Sequence, residues 1–447
     1  MLMMTVLAAV ELISPMNDET VSLLPENQCT ILKCETREEP AAGAKDFSIT
    51  DFGAKPGEKA TAAFAAAIGA CAKAGGGRVS VPAGRWFTGS IHLKSNVELN
   101  LADDAVIEFS DDPADYLPAV RTSWEGVECI NYSPLVYAYG CTDVAITGHG
   151  TFEPRMKTWK SWFSRPPAHM AATEALYYWC STNAPMEARD LTAMRGSHMR
   201  PHLIQFNRCR GVKLDGFRIN GAPFWTIHLY HSENCVVRNL DVYAHGHNND
   251  GIDIEMTRDV LVEKCRFNQG DDAVVIKSGR NQDAWRLNRP SENIEIRDCE
   301  VVDGHVLLGI GSEMAGGVRN VYMHDCTMKG QVFNVFYIKT NERRGGVIEN
   351  IRMKDCTVTG GAKTKAVVGI ETDVVYQWAK YPTFEVKPTV IRNISAENVS
   401  CGEADHLLYL KGDARAPIDG VTLKNVTCAN IRKEPKVVRN ATNVTVE

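Results

Sequence analysis

From Val212 onward the chain repeats a short pattern of alternating apolar and polar residues. Similar segments begin at Val212 (VKLDGFRI), Val236 (VVRNLDVY), Val260 (VLVEKCRF), Ile294 (IEIRDCEV), Val321 (VYMHDCTM), Ile351 (IRMKDCTV), Ile394 (ISAENVSC) and Val421 (VTLKNVTC). A period of two is that of a strand with one buried face. Several segments follow a turn-forming Asn, as in Glu292-Asn293, Arg319-Asn320, Glu349-Asn350 and Arg392-Asn393. A second strand-like run follows within each repeat, for example Ala273-Val274-Val275-Ile276 and Val335-Phe336-Tyr337-Ile338. The starts lie 24, 24, 34, 27, 30, 43 and 27 residues apart. Several short strands per unit at such a period predict a solenoid rather than a compact sheet.

The segment before the repeats supplies a beginning for that solenoid. Phe47–Ala54 reads as a strand and turn, and an Ala-rich helix is predicted over about Lys59–Ala74, stopped by Gly75-Gly76-Gly77. Such a helix would cap the open end of the stack and cover exposed strand edges. Strand-like runs at Arg78–Val81, Ser90–Leu93, Val97–Leu101 and Val144–Ile146 start the coils. Between Pro154 and Pro201 the pattern lapses, and Trp159 and Trp162 sit among charged residues. A departure of that length reads as a loop over the functional face. Residues 1–45 are polar and irregular after a start, MLMMTVLAAVELISP, with the apolar core of a signal peptide but no basic n-region or obvious cleavage site. The organisation expected is an irregular segment over 1–45 and one β-helix domain over 46–447.

Composition narrows the partners. A net charge of −6 and a pI near 6.1 leave no basic footprint for nucleic acid. No run of eighteen apolar residues exists to span a membrane. The sixth residue of four repeats is Cys265, Cys299, Cys326 and Cys356, a column that reads as stacked small apolar groups. No Cys-x-x-Cys pair or His cluster accompanies it, so no metal site is expected. Cys29 and Cys34, outside the repeats, are the better candidates for pairing or reactivity.

Three short stretches carry the candidate chemistry: Asn248-Asn249-Asp250, Gly270-Asp271-Asp272 and Gly304-His305. Taken singly, the first two are equally good turn formers. Asp271 and His305, however, each lie eleven residues after a repeat start, which places them on adjacent coils about 4.8 Å apart. Asp250, fourteen after Val236, falls slightly out of step. Carboxylates that can differ in protonation, beside a histidine, suit acid/base cleavage of a glycosidic bond. Asp253 and Lys277 also share an offset, and a stacked ion pair explains them better than a substrate contact. Ser312-Glu313 and Glu371-Thr372-Asp373 are further candidates to line the cleft. Trp124, Trp159, Trp162 and Trp225 are candidate sugar platforms.

The order Asp-Phe-Gly-Ala, Leu-Lys-Ser-Asn-Val-Glu-Leu, Trp-Glu-Gly, Asn-Asn-Asp-Gly, Gly-Asp-Asp, Gly-His, Ile-Gly-Ser-Glu and Ile-Lys-Thr-Asn resembles glycoside hydrolase family 28, the polygalacturonase-like pectin hydrolases. The likeness runs from about Phe47 to Thr427. It implies an all-β, right-handed parallel β-helix that hydrolyses a pectic poly- or oligosaccharide with inversion and without a cofactor. The expected protein is a secreted or periplasmic monomer. The Trp-Glu-Gly region and an insertion at Asn281–Arg289 are most similar to bacterial exo-acting members. The resemblance implies that Asp271 is the general acid and that Asp250 and Asp272 activate water. His305 would hold the protonation pattern, and Asn248, Lys277, Glu313, Tyr337 and Lys339 would contact substrate.

Two departures change what is expected. The family's Gly-His-Gly is Gly304-His305-Val306, and its Arg-x-Lys is Tyr337-Ile338-Lys339. Lys339 remains a point charge, but the bidentate fork of Arg is missing. Unmodified polygalacturonate is therefore expected to be a secondary substrate unless Arg343 or Arg344 restores the charge, with rhamnogalacturonan the first alternative. A polysaccharide lyase and a non-catalytic carbohydrate-binding solenoid are the other readings. Neither requires Asp250, Asp271 and Asp272 together.

Overall fold

The computed structural model describes residues 45–330, 332–375 and 385–447. The expectations for the N-terminal segment and for Cys29 and Cys34 fall outside them. The described chain winds into stacked coils whose ladders are parallel, in a 21-stranded and an 11-stranded sheet, beside one antiparallel hairpin. This is a parallel β-helix.

The apolar–polar alternation fixes how the coils stack. Val260, Ile294, Val321, Ile351, Ile394 and Val421 face one another in register, all buried. Each such aliphatic side chain contributes about 1.5–3 kcal/mol on burial. One repeat start differs from the reading above: Val212 faces Cys235, not Val236, so that coil begins one residue earlier. Cys265, Cys299, Cys326 and Cys356 are buried and no disulfide joins them. The turn asparagines Asn293, Asn320, Asn350 and Asn393 adopt left-handed backbone at φ 55–58°. Their side-chain amides form a ladder, each donating to the previous coil at 2.6–3.1 Å, starting from Asp259. Asn is among the few residues besides Gly that visit this conformation.

The capping helix runs Thr61–Lys73 and buries Ala63, Phe64, Ala67, Ile68 and Cys71, two interleaved rows four residues apart. Gly76 ends it with φ +111°; a Cβ there would lie 2.4 Å from the Asn96 carbonyl oxygen.

The excursion between Pro154 and Pro201 is not all loop as expected: it carries helices at Lys157–Ser161 and Pro167–Ser181. Ala172, Leu176 and Cys180 recur every four residues and pack with Trp124, Val127, Cys129, Phe224 and Trp225 in an apolar cluster of their own. The hairpin Val120–Trp124 with Val127–Asn131 joins that cluster, turning at Glu125-Gly126. A further helix, Asn281–Leu287, occupies the predicted insertion.

The 11-stranded sheet carries the candidate site. Its central strands are Ile204–Asn207, Ile227–Tyr230, Ile252–Glu255, Val274–Lys277, Val306–Ile310, Asn334–Lys339, Ala366–Glu371 and His406–Lys411.

Candidate active site

Asp250, Asp271, Asp272 and His305 stand at the turns that lead into three consecutive strands of this sheet. Ile252 faces Val274, so Asp250 and Asp272, each two residues earlier, occupy equivalent places on adjacent coils. The Gly251 amide donates to the Asp272 carbonyl at 2.9 Å across that step. Asp250 is thus in step, with Asp272 rather than Asp271 as its neighbour. Asp271 pairs with His305 as its offset predicts: the His305 amide donates to the Asp271 carbonyl at 2.9 Å, and His305 Nδ1 lies 3.0 Å from Asp271 Oδ1.

Consecutive residues on a strand point to opposite faces, which would separate Asp271 from Asp272. Here a turn overrides the alternation. The Asp272 amide donates to Asp271 Oδ1 at 3.0 Å. Asp271, Asp272 and His305 consequently present polar atoms within 4.8 Å of one another. The turn needs Gly270, because a Cβ there would lie 2.6 Å from the Gly246 amide of the preceding coil.

Two lysines offset this concentration of negative charge. Lys277 Nζ lies 2.9 Å from Asp253 Oδ1, 3.2 Å from Asp250 Oδ2 and 3.8 Å from Glu313 Oε2, and 3.6 Å from the centre of the Trp225 ring. The ion pair with Asp253 is present as expected, although Lys277 is opposite Glu255 in register. Lys339 Nζ donates to Asp272 Oδ2 at 2.9 Å. The other oxygen, Asp272 Oδ1, is buried with no hydrogen-bond partner among the described residues. Leaving a buried carboxylate oxygen unpaired is costly, so it is a ready acceptor for a water or a substrate hydroxyl.

Burial decides the protonation pattern. It is the main cause that pushes Asp250 up to about 7, with Asp271 and Asp272 adding to it against the Lys277 charge. Burial also acts to raise Asp271, but the hydrogen bond and charge of His305, with Lys339 and Lys277, hold it down to about 2. His305 would be lowered by burial; its contact with Asp271 and the charge of Asp272 raise it instead. Asp250 and Asp271 are thus shifted in opposite directions. The carboxyl that is raised is Asp250, not Asp271, and the contact that lowers Asp271 raises His305.

The remaining sequence candidates fall on both sides of this centre. Asn248, at φ 58°, accepts from the buried Arg200 guanidinium at 3.0 Å. Glu313 is buried; burial would raise it, but Arg280 and Lys277 hold it at about 2, with Arg280 Nη2 2.5 Å from Oε1. Lys277 and Glu313 therefore sit beneath the carboxylates rather than on an open surface. Tyr337 and Lys339 face outward, and the Tyr337 hydroxyl donates to Glu371 Oε1 at 3.0 Å. Arg344 is buried, donating to the Ser312 carbonyl and to Asn281 Oδ1, both at 2.6 Å, so it does not restore the missing charge. Trp124, Trp159 and Trp225 are buried in packing, and half-buried Trp162 stacks on His198.

Sequence reasoning missed two contributors. Phe333, 46% exposed, packs its ring 4.6 Å from that of His305. Val306 faces Asn334, so Phe333 is the next-coil counterpart of His305, although it lies twelve residues after its repeat start rather than eleven. Arg280 is the second. It donates from Nε to the Glu125 carbonyl at 3.0 Å and from its amide to the Gly126 carbonyl at 2.8 Å. Its guanidinium stacks 4.4 Å from the Tyr177 ring centre. The hairpin tip is thereby held against Glu313; a Cβ on Gly126 would fall 2.8 Å from the Glu313 Cβ. Ser123 also donates to Glu255 at 3.3 Å and Thr122 to Gln205 at 2.9 Å. The hairpin's contacts thus run along the strand ends from Gln205 past Glu255 to Glu313, over the coils of the carboxylates themselves.

A parallel β-helix that gathers three carboxylates and a histidine on one sheet, with two lysines to tune them, defines a glycoside hydrolase of the β-helical class. The profile of the glycosyl hydrolases family 28 matches residues 187–447. A hyperthermoactive exopolygalacturonase from Thermotoga maritima superposes with a TM-score of 0.83 at 34% identity, over 92% of this chain and 94% of that one. A probable polygalacturonase from Vitis vinifera is 26% identical over 424 residues, 90% of this chain and 78% of its own. An exo-poly-alpha-D-galacturonosidase from Dickeya chrysanthemi is 26% identical over 303 residues, 62% of this chain and 49% of its own. The chain belongs to glycosyl hydrolases family 28.

Proposed function

We propose that the enzyme removes terminal sugars from pectic galacturonide chains, with inversion at the anomeric carbon. The observation that carries this reading is the division between an open Asp271–His305 pair and a buried Asp250–Asp272 pair. The Asp271 and His305 side chains are 24% and 40% exposed, against 4% and 2% for Asp250 and Asp272. Asp271 protonates the leaving oxygen, using the proton that it shares with His305; the two groups titrate as a pair. Asp250 and Asp272, the latter held by Lys339, share the attacking water and take up its proton. Asp271 and Asp272 present oxygens within 4.8 Å of each other, whereas Asp250 stands one coil away; inversion calls for about 6.5–9.5 Å between acid and base, so the longer separation falls to Asp250. Exo action follows from the wall built by the hairpin, Arg280 and the neighbouring helices, and the names of the Thermotoga and Dickeya relatives agree with it. A polymeric substrate of this kind places the enzyme outside the cytoplasm, secreted or periplasmic.

The Tyr337 contact favours a second reading of the substrate. A hydroxyl bound to the Glu371 carboxylate stands where a guanidinium fork would be, so the sugar at this subsite is neutral, substituted or differently linked, as in rhamnogalacturonan.

Defined galacturonide and rhamnogalacturonan oligomers separate these readings. The first predicts a single released sugar from galacturonides, and early proton NMR should show the anomer opposite to the α-linkage. A spread of intermediate oligomers would refute exo action, retention would make one carboxylate a nucleophile, and an unsaturated, ultraviolet-absorbing product would show a lyase. Release from rhamnogalacturonan alone would establish the second reading.

A further inference from the structure

The face of the sheet beyond Lys339, toward the C-terminal coils, has no role in the reaction described. Phe336, Ile338, Leu408 and Leu410 point into the core, so Tyr337, Lys339, Tyr409 and Lys411 point outward. Register aligns them in two columns. Tyr337 faces Gly369, which faces Tyr409; Lys339 faces Glu371, which faces Lys411, which faces Arg439. The two tyrosines are thus two coils apart, about 10 Å.

Gly369 sets the attitude of the first ring. A Cβ there would lie 3.3 Å from Tyr337 Cδ2 and 2.9 Å from Asn334 Oδ1. The ring can therefore lean over the next coil, where its hydroxyl reaches Glu371. Lys365 Nζ sits 2.7 Å from Glu371 Oε2 and 4.0 Å from the centre of the Tyr409 ring, and Lys411 pairs with Asp373. Lys365 and Lys411 side chains remain 37% and 36% exposed. Each ammonium has three donors, so one carboxylate partner leaves capacity for a second anion.

We infer that this face is a chain-holding track: Tyr337 and Tyr409 are stacking steps, and Lys365 and Lys411 hold the carboxylates of the polymer that remains attached beyond the cleaved bond. The hairpin contacts described above reach as far as Glu313, and the coils after it are left as the course for the rest of the chain. Aromatic faces spaced by coils suit the apolar faces of successive sugars. The ligand class is an anionic polysaccharide, and the inference rests on the galacturonide reading above.

The test is KM against chain length, from the galacturonate dimer to the hexamer, at low and high salt. Wild-type KM should fall as the oligomer grows long enough to reach Tyr409, and high salt should erase part of that gain for long oligomers only. Lys411→Gln should raise KM roughly two- to fivefold for the hexamer, the size of an exposed charge contact, with the rise shrinking as the chain shortens. Lys411→Arg should restore it. Tyr409→Ala should raise the hexamer KM roughly two- to tenfold, and Tyr409→Phe should not. A wild-type KM independent of length, or variant effects equal for dimer and hexamer, would overturn the track alone. Failure to cleave any galacturonide would overturn the substrate reading and the track with it.

Discussion

The two sides of the catalytic carboxylates are built from the same coil yet differ in kind. Beside the carboxylates and under the hairpin, charged groups are buried and interlocked: Lys277 among Asp250, Asp253 and Glu313, and Arg280 between Glu313 and the hairpin. On the C-terminal side, lysines and tyrosines face outward: Lys365 pairs with Glu371 and lies over the Tyr409 ring, Lys411 pairs with Asp373, and Tyr337 donates to Glu371. Buried charge is tolerated only when paired, and once paired it holds whatever supplies the partners. Exposed charge costs little and adapts to a ligand. The first arrangement suits a wall, the second a surface that grips and releases.

The sharpest test of this contrast is at the centre. Asp271→Asn and Asp272→Asn should each lower kcat by about 10²–10⁴-fold in protein that still folds. More than a tenth of the activity surviving in Asp271→Asn would sink its assignment as the acid.

Next comes the wall. Arg280→Met strips Glu313 of a partner and releases the Glu125-Gly126 tip. Breaking a buried pair typically costs about 3–5 kcal/mol, so a large drop in melting temperature is expected. If the variant folds, its products should shift from single sugars toward mixed oligomers. An unchanged product pattern in a folded Arg280→Met would show that the hairpin does not set the mode of attack.

Smaller effects follow from protonation. His305 is raised in the folded enzyme, so its contribution is present below the ordinary histidine value and is lost as pH rises through the raised one. Asp271 is depressed to about 2, so its contribution is present above the ordinary carboxylate value and lost as pH falls toward 2. The pair therefore stabilises the fold between those limits, and activity should decline on the alkaline side as His305 loses its proton. His305→Gln should remove that alkaline limb from the pH profile of kcat/KM. A limb that persists unchanged would assign it to another group.

The smallest expected change is one of preference. Tyr337→Arg should raise activity on galacturonate oligomers relative to rhamnogalacturonan several-fold, through a bidentate carboxylate contact. Equal changes on both substrates would remove Tyr337 from the specificity argument.

How much of this was legible in the chain follows the range of the contacts. Alternation and turn residues are local, and they were enough to predict the coils, the capping helix and the stacking of Asp271 on His305. The register of Asp250 was misjudged because the turn between Ala244 and Ile252 is three residues longer than its counterpart between Gln269 and Val274, which an offset from the repeat start does not register. The 167–181 helix was taken for loop because its apolar face meets a hairpin far away in sequence. The Arg280 clamp joins residues 155 apart, a pairing that no spacing rule reaches. The identity of the raised carboxyl depends on depth of burial, and only the folded coordinates supply that.

The asparagine ladder bears on how such a molecule assembles. Its members, from Asp259 through Asn393, recur after 34, 27, 30 and 43 residues. Were every coil alike, a growing stack that skipped or doubled a turn would still match side chain to side chain. Unequal spacing removes that degeneracy, because a coil misplaced by one rung keeps its amide contact but brings a connection of the wrong length. The ladder supplies adhesion that is the same at every rung, while the connections supply the address. Order along the stack is thus encoded in the surface turns, the part of the chain freest to vary without disturbing the core.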